Sequence, residues 1–281
     1  MVWKRFYRGK DSQIYSILSE KHDKVFIISP NIVIFAQMKR AIIVGASSGI
    51  GREVCKCLLA AGWRVGIAAR REAMLLDVKS EYPAGFVEVG VIDVTADDAP
   101  LRLIELVDRV GGADLFVLSA GVGKQNPGLA VDIEMCTVAV NVNGFTCMVD
   151  TMFGYMAAHG GGHIAVISSV AGTKGLGVAP SYSATKAYQN VYIEALEQLS
   201  HIRRLNITFT DIRPGFVDTD LLAGSGRYPM LMNKEKVGRY IVRAVLARRH
   251  VCVIDWRYRI LVAVWRLIPR WLWRVMRITS K

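Results

Sequence analysis

From residue 38 onward, short apolar runs alternate with helical patterns about every 25 residues. The runs at 40–46, 63–69, 86–94, 114–120, 163–169, 206–213 and 250–255 are compact and almost continuously apolar. Such runs suit strands covered on both faces rather than strands with one wet face. Between the first four lie 50–62, 71–82 and 97–112, where apolar residues recur at helical spacing. Strand and helix in strict alternation imply right-handed crossovers and a parallel sheet. The predicted fold is therefore α/β: a single doubly wound domain with a seven-stranded, mostly parallel sheet and helices on both faces. A chain of 281 residues, 52 % apolar and 21 % charged, can fill a core of that size.

The first strand runs into "VGASSGIGRE" (44–53) and so into the first helix. Gly45, Ser47, Ser48, Gly49, Ile50 and Gly51 make this a candidate dinucleotide-phosphate turn. Glycines let the backbone approach a pyrophosphate, and the helix N-terminus supplies N–H groups and positive potential. Gly45-x-Ser47-x-Gly49 also fits the nucleophile elbow of a serine hydrolase, with His201 or His250 as its base. That pattern leaves Gly51 without a task, and an elbow normally follows several strands. At the end of the second strand stand Arg70 and Arg71 in "IAARRE", with no carboxylate at the strand end. A guanidinium there favours the 2′-phosphate of NADP(H) over the free hydroxyl of NAD(H). Asp93 closes the third strand, either to meet an adenine or to cap a turn.

"SYSATKAY" places Tyr182 four residues before Lys186, on one face of a helix. A tyrosine ordinarily titrates near a pKa of about 10. A neighbouring ammonium favours the phenolate and fits the pair for proton exchange near neutrality. With the turn at 44–51, "SAG" at 119–121, "VNVNG" at 140–144, "ISSVAG" at 167–172 and "RPGFVDT" at 213–219, the chain resembles the short-chain dehydrogenase/reductase family over residues 38–255. Two positions depart from its pattern: Val44 stands for the usual threonine and Ser119 for the usual asparagine.

The resemblance implies a Rossmann-type, nucleotide-binding oxidoreductase that interconverts a ketone or aldehyde and an alcohol. It implies Tyr182 as proton donor, Lys186 bonded to the nicotinamide ribose, and Ser169, thirteen residues before the tyrosine, holding the substrate oxygen. Asn141 would fix a water in a proton relay. Ala120, Gly121, Pro214, Gly215 and Thr219 would line the cofactor beside the turn. NADPH is the expected cofactor, and a homo-oligomer the expected assembly. The rival reading is a non-catalytic dinucleotide sensor or interaction protein on the same fold. That class is expected to lose Tyr182, Lys186 or Ser169, and all three are present.

Charge bears on partners. Residues 234–281 carry 13 Lys/Arg against Glu235 and Asp255, whereas 38–233 is slightly acidic within a chain of net charge +12. A nucleic-acid enzyme would surround its site with basic charge, so no nucleic acid is expected. The tail 256–281 combines arginines with Trp, Leu, Val and Ile, is divided by Pro269, and contains no uncharged run long enough to span a bilayer. It reads as a basic amphipathic segment lying on an anionic membrane or packed on protein. Arg259, Arg266, Arg270, Arg274 and Arg277 are spaced to form one stripe. "DLLAGSGRYPMLMN" (220–233), apolar through Leu221, Leu222, Tyr228, Met230, Leu231 and Met232, is the expected substrate lid and suggests a hydrophobic substrate. Residues 1–37 fit the alternation poorly, and Met38 reads as a natural start. The odd set of five cysteines suggests reduced, mostly buried thiols. No metal site is expected: His159 and His163 are four apart but separated by glycines. A cytoplasmic enzyme, possible at a membrane surface, is the expectation.

Overall fold

Each apolar run becomes a strand because both of its faces are covered. In a computed structural model, which describes residues 38–222 and 228–278 in full and only backbone strands within 1–37, seven strands form one parallel sheet. They are β1 (Arg40–Val44), β2 (Arg64–Ala69), β3 (Val87–Val91), β4 (Leu115–Leu118), β5 (Gly162–Ile167), β6 (Ile207–Arg213) and β7 (Val251–Val253). Their order across the sheet is β7-β6-β5-β4-β1-β2-β3, with every pairing parallel. The order reverses between β4 and β1, which opens a crevice at their C-terminal ends.

Helices α1 (Gly49–Ala60), α2 (Glu72–Ser80) and α3 (Ala99–Val110) connect the first four strands. Helix α4 (Val131–Val138) passes through a π-helical turn, Ala139–Gly144, into α5 (Phe145–Ala158). Helix α6 (Pro180–Ile202) starts on a proline, which suits the first helical turn. Its N-terminal amide at Ser181 donates to Glu134 Oε2 of α4 at 3.0 Å, a carboxylate on the positive end of the helix. Helix α7 (Lys234–Leu246) precedes β7. One apolar cluster joins Val54, Leu58, Leu75, Ile241 and Tyr258 on one face of the sheet. The other joins Leu103, Leu106, Met148, Met152, Ile193 and Phe209 on the opposite face.

The C-terminal segment breaks at Pro269 into α8 (Trp256–Leu267) and α9 (Arg270–Val275). Tyr258, Val262 and Trp273 are buried, so one side of the segment belongs to the core. The expected arginine stripe is interrupted. Arg259 donates to Val253 O and Tyr240 Oη on the body, and Arg277 lies beyond the last helical turn. Tyr258 holds the region together: its hydroxyl accepts from Phe216 N at 3.0 Å and donates toward Pro229 O and Met230 O. Its ring lies so close to Gly215 that a Cβ there would collide with it.

Within 1–37 the described backbone pairs apart from this sheet. Trp3–Lys4, Tyr15–Leu18, Lys24–Ser29 and Ile32–Gln37 form one antiparallel sheet, and Arg8–Gly9 pairs with Ser12–Gln13. Of the five free cysteines, Cys55 and Cys252 are buried and Cys136 is exposed, so burial is less general than expected. Tyr258→Phe keeps the buried ring and removes the hydroxyl from three backbone groups. It should lower stability by about 1–3 kcal/mol, seen as a thermal midpoint several degrees lower with the fold unchanged by circular dichroism.

Candidate active site

The turn after β1 is built by close approach. Gly45 N and Ala46 N donate to Ala68 O of β2, while Ser119 N and Ala120 N donate to Val44 O. A Cβ on Gly45, at φ +92°, would strike the Ala120 backbone, and one on Gly51 would strike the Gly45 carbonyl. Glycine at both positions is therefore a steric requirement. Gly49, at φ +57°, faces the Thr219 methyl. Turn, "SAG" segment and Thr219 thus meet at the crevice, and α1 points its N-terminus into it. Ser47 and Ser48 accept from Arg71 Nη2 at 3.1 and 2.8 Å.

Arg70, the preferred phosphate ligand from the sequence, lies farther out. It is exposed, and its Nη1 is 4.0 Å from Asp93 Oδ2. Asp93 accepts from Thr95 N and Thr95 Oγ1, which hold its carboxyl below the usual range. Its turn-bracing role is the one the geometry displays. Of the two arginines the sequence offered at this strand end, it is Arg71 whose guanidinium reaches the glycine turn.

Beside this turn the described structure brings together Asn141, Ser169, Tyr182 and Lys186. Ser169 follows β5, accepts from Ala171 N at 3.1 Å, donates to Pro214 O at 3.4 Å, and is near enough to the Tyr182 phenol to oppose the rise of its pKa. Ser168 points the other way, into the core, donating to Asp211 Oδ1 and to Ile212 O. The neighbouring serines therefore have different surroundings. Asp211 also pairs with Arg213 Nη2 at 2.6 Å. With its amide oriented to satisfy its neighbours, Asn190 donates to Ser168 Oγ and Asp211 Oδ2.

Tyr182 and Lys186 share a face of α6, with Lys186 Nζ 5.8 Å from the centre of the phenol ring. Lys186 is buried and donates to Ile167 O at 3.1 Å and Gln189 Oε1 at 2.9 Å. Burial pushes its pKa down to about 8, with Asp211 pulling the other way. Burial also raises the Tyr182 phenol, while Ser169 opposes that shift by hydrogen bonding. The sequence-based expectation was a phenol lowered by Lys186. In this arrangement the ammonium faces the ring rather than the hydroxyl, and Ser169 is the group that favours the phenolate.

Asn141 lies in the π-helical turn, a feature common at functional sites. Its side chain braces the neighbouring loop: Val122 N donates to Oδ1 at 2.9 Å, and Nδ2 donates to Val122 O and Thr185 Oγ1. Its carbonyl accepts from Gln189 Nε2 at 2.9 Å. Gly121 lies alongside, where an added Cβ would sit 3.6 Å from Lys186 Nζ. Pro214 O accepts from Val170 N, which ties the "PG" segment to the loop after Ser169. Gln189, Thr185 and Asp211 were not singled out from sequence. The signal was present: the inward face of α6 is polar from Ser183 to Asn190, unusual for a helix packed on a sheet.

The segment expected to form a substrate lid is tied down at its described ends. Met232 N donates to Phe216 O, Asp218 N donates to Met232 O, and Met232 is buried. Tyr228 packs at a tilt against Phe216 with ring centres 4.5 Å apart, while Leu221 and Leu231 are exposed. Residues 223–227 of the lid lie outside the described residues. The opposite wall is held by the C-terminal segment: Trp273 Nε1 donates to Gly175 O at 2.7 Å, and Lys174 Nζ to Ile268 O at 3.0 Å.

The rival nucleophile-elbow reading finds no base at His250. His250 precedes the edge strand β7, whereas Ser47 lies past the C-terminal end of the interior strand β1; His250 pairs with Glu197 and provides no base for an elbow. His163 is buried, bonded to Thr210 Oγ1, and pushed down to about 4 by burial. Among the described residues no group of His, Cys, Asp or Glu is arranged to hold a metal.

A parallel α/β sheet with a glycine turn at its switch point and a Tyr–Lys pair beside it defines a nucleotide-dependent oxidoreductase scaffold. Residues 39–227 match the short chain dehydrogenase family, and the chain belongs to it. An uncharacterised oxidoreductase of Myxococcus xanthus is 35 % identical over 73 % of this chain and 84 % of its own length. One from Mycobacterium tuberculosis is 30 % identical over 83 % of this chain and 95 % of its own. The crystal structure of an actinorhodin polyketide ketoreductase with NADPH superposes with a TM-score of 0.67 at 24 % identity, covering 77 % of this chain and 95 % of that one. The last likeness concerns the fold.

Ser168→Ala and Ser169→Ala should separate support from chemistry. The first should lower the thermal midpoint and largely keep turnover; the second should keep stability and lose turnover by about a hundredfold or more.

Proposed function

We propose that this oxidoreductase interconverts a hydrophobic ketone or aldehyde and its alcohol with NADP(H) as the preferred cofactor. The observation that carries the reading is the convergence of Ser169, Tyr182 and Lys186 beside the Gly45–Gly51 turn. The residues fit such a cofactor. The turn offers helix N–H groups and a close backbone approach, Arg71 projects over Ser47 and Ser48, and Arg70 lies at the same strand end. Gly45, Ser47, Ser48, Gly49, Ile50, Gly51, Ala120, Gly121, Pro214, Gly215 and Thr219 would line it. When bound, the nicotinamide supplies or accepts the hydride.

The chain's own residues orient the carbonyl and handle its proton. Ser169 donates to the substrate oxygen and holds it against Tyr182. Tyr182 delivers a proton to that oxygen as negative charge grows there. Lys186 supplies a fixed positive charge within the site and a donor toward the ribose. Asn141 keeps the loop at Gly121–Val122 against α6, so that Lys186 and the nicotinamide side of the crevice stay in register. The lid between Phe216 and Met232 excludes water and contributes apolar surface through Tyr228, Met230 and Leu231, in keeping with a hydrophobic substrate.

The same reading gives the C-terminal segment a partner. Trp256, Ile260, Val264 and Leu267 recur along one exposed side of α8, and Trp271, Val275 and Met276 are exposed beyond Pro269. Arg266, Arg270 and Arg274 lie among them. Apolar residues with interspersed arginines suit an anionic membrane surface. No described helix is long and apolar enough to cross a membrane. Because Tyr258 and Trp273 on the inner side hold both walls of the cleft, such a surface would lie next to the substrate entrance. We place the enzyme in the cytoplasm, peripherally membrane-associated and homo-oligomeric.

The test is oxidation of NADPH and NADH, side by side, against a panel of apolar ketones. Turnover should favour NADPH. Tyr182→Phe should abolish turnover while NADPH still binds by fluorescence; full activity in that variant would remove the proposed mechanism. Arg71→Ala should raise the KM for NADPH about tenfold or more and leave that for NADH nearly unchanged. Replacing the exposed Trp256, Ile260, Val264, Leu267 and Trp271 together by serine should release the folded protein from phosphatidylserine vesicles in a flotation assay, with retention refuting the membrane surface.

A further inference from the structure

Gln189 follows Lys186 by three residues on α6 and is 1 % exposed. Its two amide atoms are committed in opposite directions. Oε1 accepts from Lys186 Nζ at 2.9 Å, and Nε2 donates to the Asn141 carbonyl at 2.9 Å. The assignment of the two atoms follows from chemistry, since an ammonium can only donate and a carbonyl can only accept. A single side chain thus spans from the ammonium to the π-helical turn.

We propose that Gln189 is a positioning residue of the reaction: it bridges the Lys186 ammonium to the Asn141 peptide and so keeps that ammonium charged and aimed at the site. The proposal rests on the oxidoreductase reading above. A buried ammonium needs acceptors for its protons. Two are present, Ile167 O on β5 and Gln189 Oε1. The side toward Gly121 is left for a ligand. Without Oε1, one proton of a buried cation loses its acceptor and the neutral amine gains weight. An amide holds its partners without passing protons on, so Gln189 fixes geometry and charge rather than relaying a proton.

The other groups facing Lys186 are Asp211 on β6, which favours the charged form, and Tyr182 on α6, whose ring lies 5.8 Å away. Asp211 is itself engaged by Arg213, Ser168 and Asn190. Substitution at 189 leaves all of these in place, so a change in Lys186 titration reports the bridge.

The experiment follows the Lys186 side-chain methylene by carbon-13 NMR across pH in lysine-labelled full-length protein, with the signal assigned from Lys186→Arg. Gln189→Leu, of similar size and apolar, should move the midpoint down by about one unit, and Gln189→Glu should move it up. In ketone reduction with NADPH, Gln189→Leu should lower kcat about tenfold to a hundredfold with little change in KM. Its alkaline limb should shift toward lower pH. A purely structural role would lower the thermal midpoint without shifting either titration in opposite directions for the two variants. Midpoints that stay at the wild-type value, or move the same way in both, would overturn the proposal. If Gln189→Leu does not fold, Gln189→Glu decides: an unmoved midpoint overturns the bridge. Absence of ketone reduction in the wild type would sink the functional reading, while the titration would still test the bridge.

Discussion

A lysine ammonium held 4 % exposed inside an α/β core sets the terms for everything near it. Burial favours the neutral amine, and only directed acceptors and a nearby carboxylate oppose that. These groups come from three elements that must meet at one point. The end of β5 contributes the acceptor Ile167 O, α6 contributes the acceptor Gln189 Oε1, and β6 contributes the negative charge of Asp211. The π-helical turn joins them because the Asn141 carbonyl receives the other end of Gln189. Polar residues on the inner face of α6, which would be a defect in an ordinary sheet-packing helix, are what make this junction possible. Each has a partner, so the interior is polar without being unsatisfied.

The crevice beside that junction is shaped by contacts from the far end of the chain. Tyr258 lies against Gly215 and holds the backbone on both sides of the lid. Trp273 and Ile268 hold the loop that follows Ser169. The C-terminal helices are therefore two-sided: Tyr258, Val262 and Trp273 pack inward while Trp256, Ile260 and Leu267 face out. The alternatives of packing on protein or presenting a surface are thus not exclusive, since different residues of one segment do each.

The strands were legible in the sequence because a parallel strand buried on both faces leaves an unbroken apolar run. Several expected strands extend past the ladder. Ala46, Ile92 and Val94 are buried, so they read as strand, yet they lie in the turns beyond β1 and β3. Burial and ladder membership coincide in mid-strand and separate at strand ends. Glycine spacing disclosed the tight turn at 45–51 for a steric reason visible at Gly45 and Gly51. The choice of Ser169 over Ser168 was legible from spacing, but its meaning was not: one hydroxyl meets Tyr182 and the other meets a buried Asp211. The arginine stripe misled because Arg259 is drawn onto the body by Val253 O and Tyr240 Oη and Arg277 lies beyond the last helical turn.

The sequence by itself determined the order of strands and helices, the turn at 45–51, and the residue types available for proton and hydride chemistry. These depend on local pattern and on neighbours a few positions away. Only the tertiary structure decided that Arg71 rather than Arg70 reaches over Ser47 and Ser48, that Asp93 is held by Thr95, and that Gln189 ties Lys186 to Asn141 forty-eight positions away. Such partners depend on which rotamer a packed interior allows and on where a distant backbone group lands. Neither is encoded in spacing along one segment, because both are set by the packing of segments against each other.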